Sequence, residues 1–142
     1  MAKITTSITL TNSFFKQADA LPEAVDEVID YTITTIGQQY RANCRKDTGA
    51  QMESEYEVKT SGESGYAAAT SAAQDRNPKA KMLEEIKPDK PHQGVVAVAA
   101  LYAEINERGG DGRTADGVLT QAVEDHRQPF LENTIRAIYG RK

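Results

Sequence analysis

The chain has 142 residues, of which 39% are hydrophobic and 27% charged, and this length and composition suit one domain with one core. A net charge of −4 argues against the basic face that binds nucleic-acid phosphates, and Cys44, as the only cysteine, excludes an intrachain disulfide. The N-terminal residues lack the apolar core of a secretory signal, and the most apolar stretch, 94–103, is too short to span a bilayer as a helix. We therefore expect one soluble domain over 1–142 that acts without being secreted.

One long amphipathic helix dominates the N-terminal third. Residues 3–10 mix Ile and Leu with Thr and Ser and favour a short or edge strand, and a short helix capped by Asn12 or Ser13 is expected next. Pro22 suits a first helical turn, and the long helix is predicted to run from there to about Cys44. Its apolar stripe consists of Val25, Val28, Ile29, Thr32, Ile36 and Tyr40.

Two features of this helix have a structural explanation, namely a glycine in its interior and a basic cluster at its C-terminal end. Gly37 lowers helix stability by about 1 kcal/mol relative to alanine, which points to close packing or a bend at that position. Arg41, Arg45 and Lys46 are favourably placed at the negative end of the helix dipole. Together with Arg141 and Lys142 they are too few for a nucleic-acid footprint, and we expect them to serve helix ends or subunit contacts.

The middle of the chain combines a strand, an alanine-rich helix and an irregular segment. Residues 54–60 alternate and predict a strand with its apolar residues on one face. Alanines favour a helix over 66–76. Prolines and charges predict an exposed, extended excursion over about 77–93, with one helical turn near Met82–Ile86.

The C-terminal part contains the most apolar segment and a second long helical pattern. Residues 94–103 favour a strand buried on both faces, and glycines predict a loop over 107–117. The helical pattern that follows is expected to break near Gln128, because Pro129 removes a backbone donor, and to end at Gly140. The order of elements indicates an α+β fold, with a long N-terminal helix and a C-terminal helix packed on a small, mostly antiparallel sheet.

Asp47, Thr48 and Gly49 form the tripeptide that carries the catalytic carboxylate in aspartic proteases. Such an aspartate needs a second carboxylate beside it, with which it shares a proton, and a buried apolar strand before it. Here Arg45 and Lys46 precede it, at the end of a helix. We therefore interpret the tripeptide as a turn, in which Asp and Thr bond nearby backbone groups and Gly supplies a positive φ.

The remaining candidate catalytic, metal-binding and phosphate-binding residues do not form a recognisable motif in the sequence. His92 and His126 are far apart, and Glu124, Asp125 and His126 are adjacent, so they do not share one helical face. Cys44 has no base placed beside it by a motif, so a small packed residue is expected. The glycine runs lack the lysine of a phosphate-binding loop. We expect no enzyme activity, no metal and no cofactor.

Three ordered runs of residues carry a resemblance to a known family. They comprise Asp47, Thr48, Gly49, Tyr102, Ala103, Glu107, Gly109, Pro129, Phe130 and Leu131. In this order and spacing, over about residues 22–140, the chain resembles the tail-completion, or head–tail joining, family of long-tailed bacteriophages and prophages.

The resemblance implies a structural virion protein of the phage neck. Members of that family assemble as rings where the DNA-filled head meets the tail, and heterologous contacts between identical copies close into such rings. The implied partners are identical copies, adjacent connector and tail proteins, and DNA that passes through the bore without specific binding. The chain would be made in the host cytoplasm and located at the head–tail junction, without contact with a membrane.

The resemblance also implies roles for the residues that carry it. Asp47–Gly49 would fix a helix-to-strand turn. Tyr102, Glu107 and Gly109 would shape the end of the core strand and its loop. Pro129–Phe130 would dock the last helix onto the sheet.

Two expectations concern contacts with other proteins. The excursion at 77–93 and the loop at 107–117 are expected to reach neighbouring subunits or rings, since extended segments order readily on a partner. Two alternatives to the tail-completion role remain. One is another phage neck or tail ring component, such as a terminator or adaptor, and the other is a small cytoplasmic α+β binding module.

Overall fold

A computed structural model describes residues 6–11, 22–46, 48–109 and 115–139 of the chain. The described residues form three strands and five helices, which in chain order are β1 (Thr6–Thr11), α1 (Pro22–Asn43), α2 (Ala50–Glu53), β2 (Glu55–Val58), α3 (Tyr66–Arg76), β3 (Gln93–Val98), α4 (Leu101–Arg108) and α5 (Val118–Tyr139). Among these helices, none combines the length and the apolar character that crossing a membrane requires.

The three strands form one antiparallel sheet with β3 in the middle. Val98 of β3 lies opposite both Thr6 of β1 and Glu55 of β2, which fixes the register on the two sides. Residues 94–98 are all buried, as expected for a strand that is covered on both faces. β1 is an edge strand, which confirms the prediction for the N-terminal segment.

α1 crosses one face of the sheet and forms the centre of the main core. Val25, Ile29, Ile33 and Ile36 follow helical spacing, are all fully buried and belong to the same cluster as Val96 of β3. Apolar burial of this kind stabilises the fold by roughly 25 cal/mol per Å² of area removed from water. The predicted long helix is therefore confirmed. Its predicted apolar stripe is buried except for Val28, which is half-buried, and the buried Ile33 was not predicted.

α5 packs mainly along α1, in the antiparallel direction. Gln39 Nε2 donates to Asp125 Oδ2 (2.7 Å) at one end of the helix pair. Ala24 and Ala137 line one groove at the other end. α3 covers the opposite face of the sheet, where it packs on Tyr56. The predicted α+β class, with two long helices on a small antiparallel sheet, is confirmed.

The segment between α3 and β3 is extended, but it is anchored along the sheet, and the helical turn predicted at Met82–Ile86 is wrong. Leu83 N donates to Ala99 O (2.6 Å), and the Tyr66 hydroxyl donates to Leu83 O (2.6 Å). Ala80 is buried. The prolines and charges of this segment suggested full exposure, whereas its few apolar residues hold it against the core.

α5 continues through Pro129, so the break predicted near Gln128 is wrong. Pro129 is exposed, and buried residues on both sides of it, Ala122 and Thr134, hold the helix in place. Packing along α1 thus offsets the cost of about 3 kcal/mol or more that a proline carries inside a helix. The end predicted at Gly140 lies outside the described residues, as does the short helix predicted over 12–20.

Two short helices were missed, and both change the bounds of neighbouring elements. α2 lies between the turn at 48–49 and β2. α4 replaces the last part of the strand predicted over 94–103 and the first part of the loop predicted over 107–117. A short apolar run fits a buried strand and a buried helix equally well, so periodicity could not separate the two.

Candidate functional site

The tripeptide at 47–49 forms the predicted turn as far as it is described. Thr48 Oγ1 accepts a hydrogen bond from Ala50 N (3.2 Å), and Gly49 has the expected positive φ, 85°. Gly49 O accepts from Glu53 N (3.0 Å), so the turn opens α2 and leads to β2 only through that helix. Asp47 lies outside the described residues.

Glu107 joins two helices, which differs from the expected role at the end of a strand. It lies in α4 and is almost fully buried. Its Oε1 accepts from Leu119 N (2.8 Å), and its Oε2 accepts from Thr120 N (2.9 Å) and Thr120 Oγ1 (2.7 Å). This carboxylate satisfies free amides in the first turn of α5 and complements the helix dipole there. Glu107 is therefore an N-terminal cap that α4 supplies to α5.

The other residues of this run also belong to α4 or end it. Ala103 is buried, and Tyr102 packs half-buried against the core. Gly109 follows the helix with a positive φ of 84°, and its N donates to Ile105 O (2.7 Å). The expectation that Tyr102 and Gly109 shape a strand end is corrected: they form and terminate the helix after that strand.

The run at 129–131 spans the buried and the exposed sides of α5. Phe130 packs half-buried against the main core, but α5 docks mainly on α1, so the expected docking of Pro129–Phe130 on the sheet is corrected. Pro129 and Leu131 are exposed. The three runs therefore hold separate joints of the fold, namely the turn before α2, the junction of α4 with α5, and the packing of α5.

Cys44 and the two histidines have structural surroundings. Cys44 is buried, and burial raises the pKa of its thiol, so the expected packed residue is confirmed. His92 Nδ1 lies 2.8 Å from Asp26 Oδ1, and His126 Nδ1 lies 2.8 Å from Ala122 O. Within the described ranges, no group of three or more His, Cys, Asp or Glu residues is placed to hold a metal ion.

The basic residues after α1 serve the helix end and a neighbouring loop. Lys46 Nζ donates to Ala42 O (2.8 Å) and Cys44 O (3.1 Å), which satisfies carbonyls that the end of a helix leaves free. Arg45 Nε pairs with Asp116 Oδ2 (3.2 Å) in front of α5. These contacts confirm the structural interpretation of this basic cluster.

A buried chain of polar side chains links α1, α2 and α4. Gln51 Nε2 donates to the Tyr40 hydroxyl (2.6 Å), and Asn106 Nδ2 donates to Gln51 Oε1 (2.6 Å). Burial raises the pKa of Tyr40 far above its ordinary value, so its hydroxyl stays protonated. Since its members are hydrogen-bonded to one another, this network fixes the relative positions of the three helices.

A groove of about 550 Å³ runs along β2 between α1 and α3. We call it the acidic groove, because its lining includes the carboxylates of Glu53, Glu55, Glu57 and Glu63. Arg41 and Lys59 are the basic residues of the lining, and Arg41 lies 3.7 Å from Glu53. On the α3 side the wall consists of the small side chains Ala68, Ala69 and Ala72.

Glu55 lies in the floor of the acidic groove. Its side chain is only 5% exposed, and its Oε2 has no hydrogen-bond donor. Its neighbour is the Glu57 side chain. Two ionised carboxylates have only acceptor oxygens, so the two side chains can form a hydrogen bond only when one of them carries a proton. Burial first, and then Glu57, raise the pKa of Glu55 far above its ordinary range, and Arg41 lowers it in part. Glu55 therefore favours its neutral form, and its carboxyl is hydrogen-bonded to Glu57.

Gly37 of α1 closes the inner side of this carboxyl pair. A Cβ at this position would lie 2.5 Å from Glu55 Oε2 and 2.7 Å from Glu57 Oε2. The helix can approach the strand this closely because Gly37 has no side chain, which confirms the close packing expected there.

The sequence contained one signal for the acidic groove. Alternation over 54–60 puts Glu55 and Glu57 on the face opposite Tyr56 and Val58. Acidic residues on one face of a strand ordinarily face solvent. Only the packing of α1 over that face turns Glu55 into a buried acid.

A second surface lies on α5. Leu131, Ile135 and Tyr139 are 43%, 50% and 80% exposed, and their four-residue spacing places them in one row. Arg127 continues the row one turn earlier, and its side chain is exposed. We call these four residues the α5 ridge. The acidic groove is lined by α1, α2, β2, the turn after β2, and α3, so ridge and groove are two different patches.

Comparisons of the chain with protein-family models, with curated proteins and with solved structures give no match. The family resemblance therefore stays an interpretation of the residues that carry it.

Proposed function

We propose that this chain is a structural subunit of a phage neck, a tail-completion or head–tail joining protein that forms a ring with identical copies around the DNA passage. The observation that carries the proposal is the α5 ridge. Single exposed apolar residues are ordinary on a monomer, but Leu131, Ile135 and Tyr139 form a continuous row on one helix. A subunit that assembles buries such a row and gains roughly 25 cal/mol per Å² of apolar area.

The presence of two different patches supports a ring in particular. A contact between the α5 ridge of one copy and a different patch on the next copy is heterologous. Such a contact repeats from copy to copy and closes when the rotation allows. A contact of the ridge with itself would instead stop at a dimer.

The roles of the motif residues support a function other than catalysis. Glu107 caps α5, Gly49 and Thr48 form a turn, and Phe130 packs in the core. Cys44 is packed and protonated. These groups hold the helices in place, as a subunit that transmits force between head and tail requires.

The charge of the chain suits the proposed location. A net charge of −4 favours a bore through which DNA passes without adhering. The subunit would be made in the host cytoplasm and incorporated at the head–tail junction, between adjacent connector and tail proteins.

Electron microscopy of the purified protein, alone and mixed with neck preparations from its source, tests the proposal. We expect rings, or density for this chain between head and tail. Leu131→Glu should abolish the rings because it places an unpaired charge in the contact. Gln74→Glu, an exposed substitution on α3, is the matched control and should leave them intact. A monodisperse monomer that never joins the particle would overturn the proposal and favour a small binding module.

A further inference from the structure

The floor of the acidic groove is built to receive a positive charge. The Glu55 side chain is 5% exposed, and its Oε2 has no hydrogen-bond donor. Buried polar atoms are nearly always hydrogen-bonded, and in the free chain only the hydrogen bond between Glu55 and Glu57 can satisfy this oxygen. Two facing carboxyl groups are satisfied by one proton or, with more hydrogen bonds, by an incoming cation that carries N–H donors.

A guanidinium matches this floor better than other cations do. It presents five N–H donors in a planar fork and can bond two carboxylates at once. It is also more weakly hydrated than an ammonium group, so it enters a partly buried site at lower cost. The chemistry of the Glu55–Glu57 pair thus points to an arginine side chain.

The wall of the groove offers an apolar surface beside the carboxyl pair. Ala68 and Ala72 of α3 line the groove one helical turn apart, which corresponds to about 6 Å, and their small side chains leave room for larger ones. The α5 ridge has the matching pattern. Arg127 precedes Leu131 by one turn, and Ile135 follows one turn later.

We propose that the acidic groove of one copy receives the α5 ridge of a second copy, with the Arg127 guanidinium on the Glu55–Glu57 pair and Leu131 on the alanine wall. This inference rests on the proposed function, since it names the other half of the ring contact. Arg127 is available for it, because its pair with Glu124 (3.6 Å) is an exposed surface pair, and such pairs contribute little. When the guanidinium binds, Glu55 releases its proton to solvent.

Association constants measured by analytical ultracentrifugation test the proposal. Arg127→Gln and Glu57→Gln should each weaken self-association by about 30-fold or more, as expected when one partner of a desolvated charge pair is removed. The double variant should be little weaker than either single variant, because the two side chains lose the same contact. Arg136→Gln, which removes an exposed arginine from the same helix but outside the ridge row, should associate like the wild type. Thermal unfolding followed by circular dichroism checks that each variant is folded.

The outcomes separate this inference from the proposed function. Rings that form equally well in Arg127→Gln, Glu57→Gln and Arg136→Gln would overturn the contact and leave the ring proposal standing. Strictly additive losses in the double variant would likewise overturn the pairing of Arg127 with Glu57. A wild-type chain that stays monomeric would overturn both.

Discussion

Glu55 differs from the other glutamates of the acidic groove in its surroundings. It lies under α1, beside Glu57 and against the backbone of Gly37. Burial and the neighbouring carboxylate raise the pKa of its carboxyl from 4.5 to about 10. The folded chain therefore keeps a proton on Glu55 at a pH at which the unfolded chain has lost it.

This proton makes the free energy of unfolding depend on pH. Between pH 4.5 and about 10 the folded state binds more protons than the unfolded state, so the stability that Glu55 contributes is full below this window and is lost as pH rises through it. One such proton contributes a slope of at most about 1.4 kcal/mol per pH unit. Glu55→Gln keeps the shape without the titrating proton, so it should lack this slope and exceed the wild type in stability at alkaline pH.

Denaturant unfolding at several pH values across this window measures the effect. Glu63→Gln is the control, because Glu63 lines the same groove but is exposed, and this variant should keep the wild-type slope. Equal slopes in the wild type and in Glu55→Gln would show that Glu55 is ionised in the folded chain.

Among the elements, α4 and α5 depend on each other through Glu107. α4 provides the carboxylate, and the first turn of α5 provides the amides of Leu119 and Thr120. Gly109 ends α4 and lets the chain turn toward α5. The junction therefore behaves as one unit, although the two helices are separated in sequence.

Substitution of Glu107 should loosen this junction. In Glu107→Gln the amide nitrogen cannot accept the bonds that Thr120 N and Oγ1 donate, which should lower the free energy of unfolding by about 1–3 kcal/mol. Amide hydrogen exchange should also quicken in the first turn of α5. Glu132→Gln, an exposed change in the same helix, should do neither. Unchanged exchange in Glu107→Gln would contradict the capping role.

The helices also show how far patterns in the sequence can predict secondary structure. α1 and α3 were predicted closely because eleven or more residues in a row favour a helix at each place. α5 was predicted in two pieces, because the local cost of Pro129 is visible in the sequence and the packing of its flanks on α1 is not. α4 was missed, because eight residues following a buried strand carry too few periods to identify a helix.

For the whole molecule, the ridge and the groove are separate patches, and the proposed ring depends on this separation. A copy with a defective ridge keeps an intact groove, and a copy with a defective groove keeps an intact ridge. In a heterologous contact these two copies can still form one complete interface.

Mixing Leu131→Glu with Glu57→Gln should therefore give one-to-one dimers, while each variant alone remains largely monomeric. The reason is that the mixture restores one ridge-to-groove contact and leaves the second one broken, so growth to a ring stops. Native mass spectrometry of the mixture measures the species directly. A mixture of Leu131→Glu with Arg127→Gln is the control, since both variants lack the ridge and should form no such dimer. Dimers in that control would indicate a contact that does not use the ridge.

The sequence by itself determined the α+β class, the two long helices, the edge strand β1 and the turn at Thr48 and Gly49. These features follow from local periodicity, from capping preferences and from the φ freedom of glycine, which act over a few residues. Tertiary structure alone decided that Glu107 caps a helix from outside, that Pro129 stays inside one, and that Glu55 is a buried neutral acid. Each of these depends on a partner distant in the chain, and no pattern of neighbouring residues encodes which element will cover a given face.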